Sequence, residues 1–282
     1  MRFTRMNKLC AAFLLAFAAA RLLAAAPGSV AGWEDRVSPG GPGDFPALPT
    51  PFRATYRIGW AGLTAARAEM LISRNSAGAY EFRADSATIG PARALWTFDA
   101  VVRSTVSSPQ LRPVRVDQVE ERSDQTLRET VRFDGTGAER VKTVVPKRAN
   151  VEARTEIKRF ESALLQDFMS AYLNLRSQPL VNGETRTVAV MSPSVPYLLT
   201  ITAREREELR IRAGKFRAIR VSVDSIQRIR GDGTLVPHKR FHSATIWVSD
   251  DATRQILRVQ SQVFIGAVFL ELDSPPQVAE TP

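Results

Sequence analysis

Short runs in which apolar and polar residues alternate one by one constrain this chain most, because they recur along most of its length. In one such run, Tyr56, Ile58 and Trp60 alternate with Arg57 and Gly59. Similar runs lie at 66–72, 80–82, 114–116, 131–133, 197–201, 221–223 and 246–248. Since successive side chains of a strand point to opposite faces, each run is predicted as a strand with one face on a core and the other in water.

Turn-forming sequences separate these runs at regular intervals. They lie at 75–78, 134–137, 182–183, 231–233 and 249–251, and all are rich in Gly, Asn, Asp or Ser. Many short strands at this spacing predict a mainly β fold, a curved antiparallel meander forming a barrel, a half-barrel or a sandwich. We expect one β-rich domain over residues 52–272.

One segment near the middle of the chain has a helical period instead. Its apolar residues recur at spacings of three and four: Leu164, Leu165, Phe168, Met169, Tyr172 and Leu175. This pattern predicts a single amphipathic helix over residues 163–176, capped by Ser162 and ended by Pro179. Its apolar face, Phe168 included, is expected against the concave side or the open end of the sheet.

The first 31 residues have the three parts of a secretory signal peptide. Arg2, Arg5 and Lys8 precede an apolar run at 9–20, and Ser29-Val30-Ala31 fits a cleavage site. A transmembrane helix needs roughly 20 apolar residues, so this run is too short to span a bilayer. We therefore predict a periplasmic or secreted protein with no transmembrane segment after processing. The alternatives are earlier cleavage, after residues 23–25, and an uncleaved anchor.

Two flanking segments lack any strand or helix pattern. Residues 32–51 contain many prolines and glycines and are predicted to be a linker between the signal peptide and the domain. Residues 273–282 are predicted to be a disordered tail.

The residue types that carry most catalytic and metal chemistry are scarce. Cys10, the one cysteine, lies within the signal peptide, so the mature protein can form no disulfide and no thiolate site. His238 and His242, the two histidines, have no evident third metal ligand nearby, and neither a Gly-x-Ser-x-Gly elbow nor a phosphate loop is present. We predict no catalytic residue, no metal and no cofactor.

The chain is basic, with a formal net charge of +10. Residues 1–31 contain four basic residues and no acid, so processing leaves 10 − 4 = +6. The arginines are scattered along the sequence, which favours a solvated surface over a nucleic-acid interface. Attraction to anionic lipid headgroups is the alternative interpretation of this charge.

A set of short motifs occurs in a fixed order between residues 51 and 272. They are Arg112-Pro113, Asp167, Ser170-Ala171-Tyr172, Leu175-Arg176, Pro179-Leu180, Gly183, Ala213-Gly214-Lys215-Phe216, and Ile246-Trp247-Val248-Ser249-Asp250-Asp251 with Arg254. In this combination the chain resembles the bacterial envelope family known as domain of unknown function 3108, although Gln255-Ile256 stand where the family tends to have a proline. The resemblance implies a secreted β fold and brings no established activity.

Four residues are candidates for contact with a ligand: Asp167, Tyr172, Arg176 and Trp247. Asp167 and Arg176 could hold a polar headgroup, and the aromatic residues could line an apolar pocket. The structural alternative is that the two charges complement the helix dipole and the aromatics form ordinary core.

Three functions follow from these observations. The preferred hypothesis is a non-catalytic envelope protein that binds a lipid or another apolar ligand in a groove between the curved sheet and the helix. The alternative is an interaction module of an envelope complex, which an open sheet edge would favour. A weaker alternative is a hydrolase of envelope polymers, which a cleft with two converging carboxylates would favour.

Overall fold

The computed structural model describes residues 32–239, 241, 243–263 and 266–278. The predicted mainly β fold is confirmed. The first eight strands are β1 (Phe52–Trp60), β2 (Leu63–Arg74), β3 (Tyr80–Thr88), β4 (Phe98–Val106), β5 (Pro113–Arg122), β6 (Gln125–Phe133), β7 (Gly137–Pro146) and β8 (Arg154–Glu161). The later strands are β9 (Leu165–Gln166), β10 (Thr185–Met191), β11 (Pro196–Ile211), β12 (Gly214–Ile229), β13 (Leu235–Pro237), β14 (Ala244–Ser249), β15 (Ile256–Gln262), β16 (Ala267–Leu272) and β17 (Gln277–Val278).

The strands join into one curved, unclosed sheet. Strands β1 to β8 pair in sequence order, and β1 also pairs with β16, through which the sheet continues to β15, β14, β12, β11 and β10. These pairs are antiparallel, whereas β9 pairs parallel with β10. Among the three predicted forms of the sheet, this one corresponds to a half-barrel.

The inner face of the curve carries the core. Alternate residues of β1, namely Phe52, Ala54, Tyr56 and Ile58, are buried, as the alternation predicted. The mid-chain helix α2 (Phe168–Ser177) adds Met169 and Leu173 to the same cluster. Burial of these side chains is the main force that holds the sheet in its curved form.

Polar side chains connect the two ends of the curve. Arg140 of β7 donates from Nη1 to the carbonyl of Ser194, 2.7 Å away, in the turn between β10 and β11. The Ser194 hydroxyl in turn donates to Glu129 of β6 at 2.9 Å. All three residues are buried. Because their polar groups are shielded from water, they satisfy one another's hydrogen bonds.

The predicted helix begins five residues later than expected. Asp167, and not Ser162, is its N-cap, because Leu165 and Gln166 are held in strand β9 by Ala189 and Val190. The prediction was also incomplete, since a second short helix, α1 (Gly90–Leu95), and a 3-10 helix (Trp33–Arg36) are present.

The prediction that Phe168 lies on the buried face of the helix is wrong. It is the first helical residue and is 43% exposed. The buried face consists of Met169, Ser170, Leu173, Arg176 and Ser177, so it is more polar than the periodicity indicated. The reason is that this face also holds the cap and the end of the helix, where backbone groups need polar partners.

Residues 32–51 were predicted to be a linker, but they pack on the domain. Trp33 and Leu48 are buried, and the Ser38 hydroxyl accepts a hydrogen bond from the backbone N–H of Thr187 on β10. The prediction relied on proline and glycine content. It overlooked the few large apolar residues that give the segment a surface to bury.

The described part of the predicted tail is also ordered. Asp273 pairs with Arg67 and Arg212, and strand β17 continues the sheet beside β1. Between β15 and β16 the Val263 N–H donates to the Gly266 carbonyl at 3.0 Å.

No helix within the described residues is long and apolar enough to cross a membrane. The signal peptide at 1–31, His242 and Phe264 lie outside the described residues, as do residues 279–282.

Candidate functional site

Asp167 is a buried helix cap. Its Oδ1 accepts the Ser170 backbone N–H at 2.7 Å, and the Ser170 hydroxyl accepts the Asp167 backbone N–H at 3.0 Å. The Ser104 hydroxyl, from β4, donates to the other carboxylate oxygen. Burial raises the pKa of Asp167, while the Ser104 and Ser170 hydrogen bonds act in the opposite direction. The carboxylate therefore fixes the start of α2 on the sheet.

Arg176, in the last turn of α2, is 3% exposed. Its guanidinium donates to three backbone carbonyls, those of Thr253 at 3.1 Å, Pro46 at 2.9 Å and Ala252 at 2.9 Å. Burial lowers the pKa of Arg176. The side chain joins the helix end to the 32–51 segment and to the loop between β14 and β15.

Arg254 lies beside Arg176, and sequence reasoning included it only as a part of the resemblance. Its Nη1 donates to the Arg176 carbonyl at 2.6 Å, and its guanidinium also bonds the carbonyls of Gln178 and Pro179. Burial, then the charge of Arg176, lowers the pKa of Arg254 to about 10.

Tyr172 and Trp247 have different surroundings. The Tyr172 hydroxyl donates to the Arg254 carbonyl at 3.0 Å, and burial raises the pKa of Tyr172 to about 12. Trp247, on β14, donates from Nε1 to Glu207 of β11 at 2.6 Å and lies 5.8 Å from the Arg258 guanidinium. The structure thus places Asp167 and Arg176 at opposite ends of α2, with Tyr172 between them. Trp247 lies with a separate set of charges on β11 and β15.

The second set of charges borders an open groove on the outer face of the sheet. The groove has a volume of about 530 Å³ and lies between the tip of the β11–β12 hairpin and strands β1, β15 and β16. Its lining is Arg57, Ala61, Gly62, Arg210, Ile211, Arg212, Arg258, Gln260, Ala267, Phe269 and Glu271. We call this site the outer groove.

Strand register brings two arginines of the outer groove to one glutamate. Glu271 of β16 lies directly opposite Arg57 of β1 and opposite Arg258 of β15. Its carboxylate is 2.6 Å from Arg57 Nη2 and 3.6 Å from Arg258 Nη1. The Arg258 Nε has no hydrogen-bond partner among the described residues. Two cations therefore share one carboxylate here, which leaves a net positive charge at this place.

The charge balance of the outer groove is positive. Its lining has four arginines and one glutamate, which gives 4 − 1 = +3. Arg210 and Arg212 on the hairpin are also paired, with Glu208 and Asp273 respectively. Arginine is suited to carboxylate and phosphate groups, because its planar fork can donate two parallel hydrogen bonds.

Part of the lining of the outer groove is apolar. Phe269 of β16 lies directly opposite Gly59 of β1. The Arg57 guanidinium is 5.0 Å from the centre of the Phe269 ring. A Cβ at position 59 would come within 2.7 Å of the Phe269 ring and 2.0 Å of the Leu63 carbonyl oxygen. Glycine is therefore required at position 59 for Phe269 to lie in this position.

Two buried carboxylates on the inner face are close enough to interact, but they do not form a cleft. Glu120 is 0% and Glu129 2% exposed. Arg122 bonds Glu120, whereas Lys142 and Ser194 bond Glu129. Burial raises the pKa of Glu120, and the charge of Glu129 raises it further. Both acids have protein partners, so this cluster is a connection between strands.

The family model described as "Protein of unknown function (DUF3108)" matches residues 55–273. The chain belongs to this family. The DUF3108 match covers the sheet from β1 to β16 and includes α2 and the outer groove. No curated protein matches the sequence.

A comparison with solved structures found one similar fold and weaker matches for this DUF3108 chain. A β-barrel-like protein of domain of unknown function DUF1849 from Brucella abortus is similar, with a TM-score of 0.55 and 11% identity over 84% of this chain and 100% of that chain. An exported protein with a YmcC-like fold from Bacteroides fragilis has a TM-score of 0.32, at 10% identity over 82% of this chain and 98% of its own. A lipoprotein from Parabacteroides distasonis also has a TM-score of 0.32, at 9% identity over 83% of this chain and 98% of its own. The first likeness indicates a shared barrel-like fold.

Proposed function

We propose that this protein is an exported, non-catalytic envelope protein that binds an anionic amphiphile, such as a lipid with an acidic headgroup, in the outer groove. The observation that carries the proposal is the row of Arg57, Glu271 and Arg258 beside Phe269. Export rests on the signal-peptide pattern at 1–31.

Charge and shape together favour a ligand with one acidic end and one apolar end. The net positive lining favours a carboxylate or phosphate group. Ala267 and Ile211 offer apolar contact for a chain beside the Phe269 ring, which is itself 4% exposed. The volume of about 530 Å³ is within the range of roughly 300–1,000 Å³ that is typical of small-molecule sites.

This proposal moves the ligand from the position expected from the sequence. Beneath α2, Met169 and Leu173 join a buried cluster with Phe52, Ile72 and Tyr80, so core packing occupies the face where the sequence suggested a groove. Asp167 and Arg176 are bonded within the protein. Arg258, which lines the outer groove, lies 5.8 Å from the centre of the Trp247 ring, so Trp247 is next to the proposed site.

A fluorescence titration with cis-parinarate, a fatty acid whose emission rises in apolar surroundings, tests the proposal. Oleate should displace the probe, whereas oleyl alcohol, which has the same chain and no charge, should compete poorly. The Arg57→Gln/Arg258→Gln variant should bind the probe at least about tenfold more weakly, equivalent to roughly 1.4 kcal/mol. Arg83→Gln, at an exposed ion pair on β3, is the matched control.

A second variant covers the case in which the first one folds poorly. Arg210 and Arg212 have exposed side chains, so Arg210→Gln/Arg212→Gln should keep the fold and still weaken oleate binding. Equal competition by oleate and oleyl alcohol, or unchanged affinity in both double variants, would refute the outer groove as an anion site.

The interaction-module alternative also has a specific observation in its favour, which is the exposed edge of the sheet at β8. We propose no hydrolytic role, because Glu120 and Glu129 are buried and bonded to neighbouring side chains.

A further inference from the structure

Strand β8 is an exposed edge of the sheet. Among the described residues it pairs with β7 alone, and all of its residues except Phe160 are exposed. Ile157, at its centre, is 65% exposed. An edge of this kind presents backbone N–H and C=O groups that can pair with a further strand.

Two side chains of opposite charge flank Ile157 on β8. Glu156 precedes it and Lys158 follows it, and these two side chains point to the same face because they are two residues apart. Within the chain, Lys158 Nζ is 2.6 Å from Glu156 Oε1. Lysine at an edge normally prevents pairing, but here an acid accompanies it.

We infer that two copies of this protein pair through β8, antiparallel and centred on Ile157. In this register Ile157 faces Ile157 of the second copy, and Glu156 of each copy faces Lys158 of the other. The arrangement is two-fold symmetric and closed, so it gives a dimer and not a growing filament. Opposite charges and β-branched side chains directly across a strand pair are stabilising.

Neighbouring registers are less favourable. Moving the centre of the pairing to residue 156 places Glu156 opposite Glu156 of the second copy, and moving it to residue 158 places Lys158 opposite Lys158. Centring on Arg159 brings two like charges together, and like charges directly opposite are destabilising. Among the registers centred on residues 156–159, the sequence of β8 therefore favours the one centred on Ile157.

Paired charge variants at Ile157 test both the dimer and its register. By sedimentation velocity over a series of concentrations, the wild type and Ile157→Val should dimerise. Ile157→Asp and Ile157→Lys should each be monomeric, because like charges then face each other at the centre. An equimolar mixture of these two variants should form a heterodimer, which a tag on one variant distinguishes by mass.

A wild-type protein that stays monomeric at the highest concentration would overturn the inference. So would dimerisation that survives in both charged variants, or a mixture that forms no heterodimer. The outer groove lies on β1, β15 and β16, so oleate binding should be the same in all Ile157 variants, and the two proposals can fail independently.

Discussion

The Arg254 guanidinium carbon lies 3.3 Å from the centre of the Phe45 ring. The same ring is 5.5 Å from the guanidinium of Arg176. Phe45 belongs to the 32–51 segment, and the two arginines hold backbone carbonyls at the end of α2 and in the loop after β14. This contact therefore couples three parts of the chain that are distant in sequence.

Phe45→Leu should lower the free energy of unfolding by about 1–2 kcal/mol, because leucine fills part of the space but offers no aromatic face to the cations. Urea unfolding followed by circular dichroism measures the change. Asp44→Asn, at an exposed neighbour in the same segment, serves as the control and should be neutral. Equal stability of both variants would show that the Phe45 contact contributes nothing.

Asp167→Ala should destabilise the domain by about 1–2 kcal/mol, since the helix loses its cap. Asp167→Asn keeps the acceptor for the Ser170 N–H and should cost less. Urea unfolding of the two variants gives both values. If alanine and asparagine were equally tolerated, the capping role would be wrong.

The pH dependence of Asp167→Asn follows from the raised pKa of Asp167. In the window between the ordinary carboxyl pKa and the raised one, the native state retains a proton that the unfolded chain has lost. The stabilisation from this group is thus complete below the unfolded pKa and disappears as the pH rises through the folded pKa. The stability difference between wild type and Asp167→Asn should widen as the pH falls through that window. A difference independent of pH would contradict the raised pKa.

Tyr172 should ionise at a higher pH in the native protein than in the unfolded chain. Burial raises its pKa to about 12, compared with about 10 for a free tyrosine. Between these values the unfolded chain loses the proton first, so stability should fall with rising pH in this range. The difference in tyrosinate absorbance between wild type and Tyr172→Phe should show its step near the higher value. A step at the ordinary tyrosine pKa would mean that the side chain is accessible to water.

Processing at the N-terminus is a further prediction. N-terminal sequencing of the protein from the periplasm should begin near Gly32, or a few residues earlier, as Ser29-Val30-Ala31 indicates. An intact Met1 terminus in cytoplasmic protein would contradict it.

Local pattern was enough to predict much of the sheet. In β1, Tyr56 and Ile58 are buried as expected, and in β5 Val116 is buried. Val114 is 43% exposed, although alternation placed it on the same face as Val116, because it lies near the end of β5 where burial is incomplete. Alternation of apolar and polar residues determines which residues of a strand share a face. It does not determine how far along the strand the core covers that face.

The outer groove could not be predicted in the same way. Arg57, Arg258 and Glu271 are far apart in the sequence, and each occupies an ordinary polar position in its strand. Only the pairing of β1, β16 and β15 aligns them. Scattered arginines therefore suggested a solvated surface. The 32–51 segment was misjudged for a related reason, since Phe45 and Leu48 have partners only in the folded domain.

The most direct test of the anionic groove is native mass spectrometry of the protein purified from the periplasm, followed by extraction and identification of bound lipids. Wild type and Arg83→Gln should carry the same anionic amphiphile, and Arg57→Gln/Arg258→Gln should carry much less. A wild type that remains free of ligand even after incubation with oleate, or equal amounts of ligand in all three proteins, would contradict the proposed function.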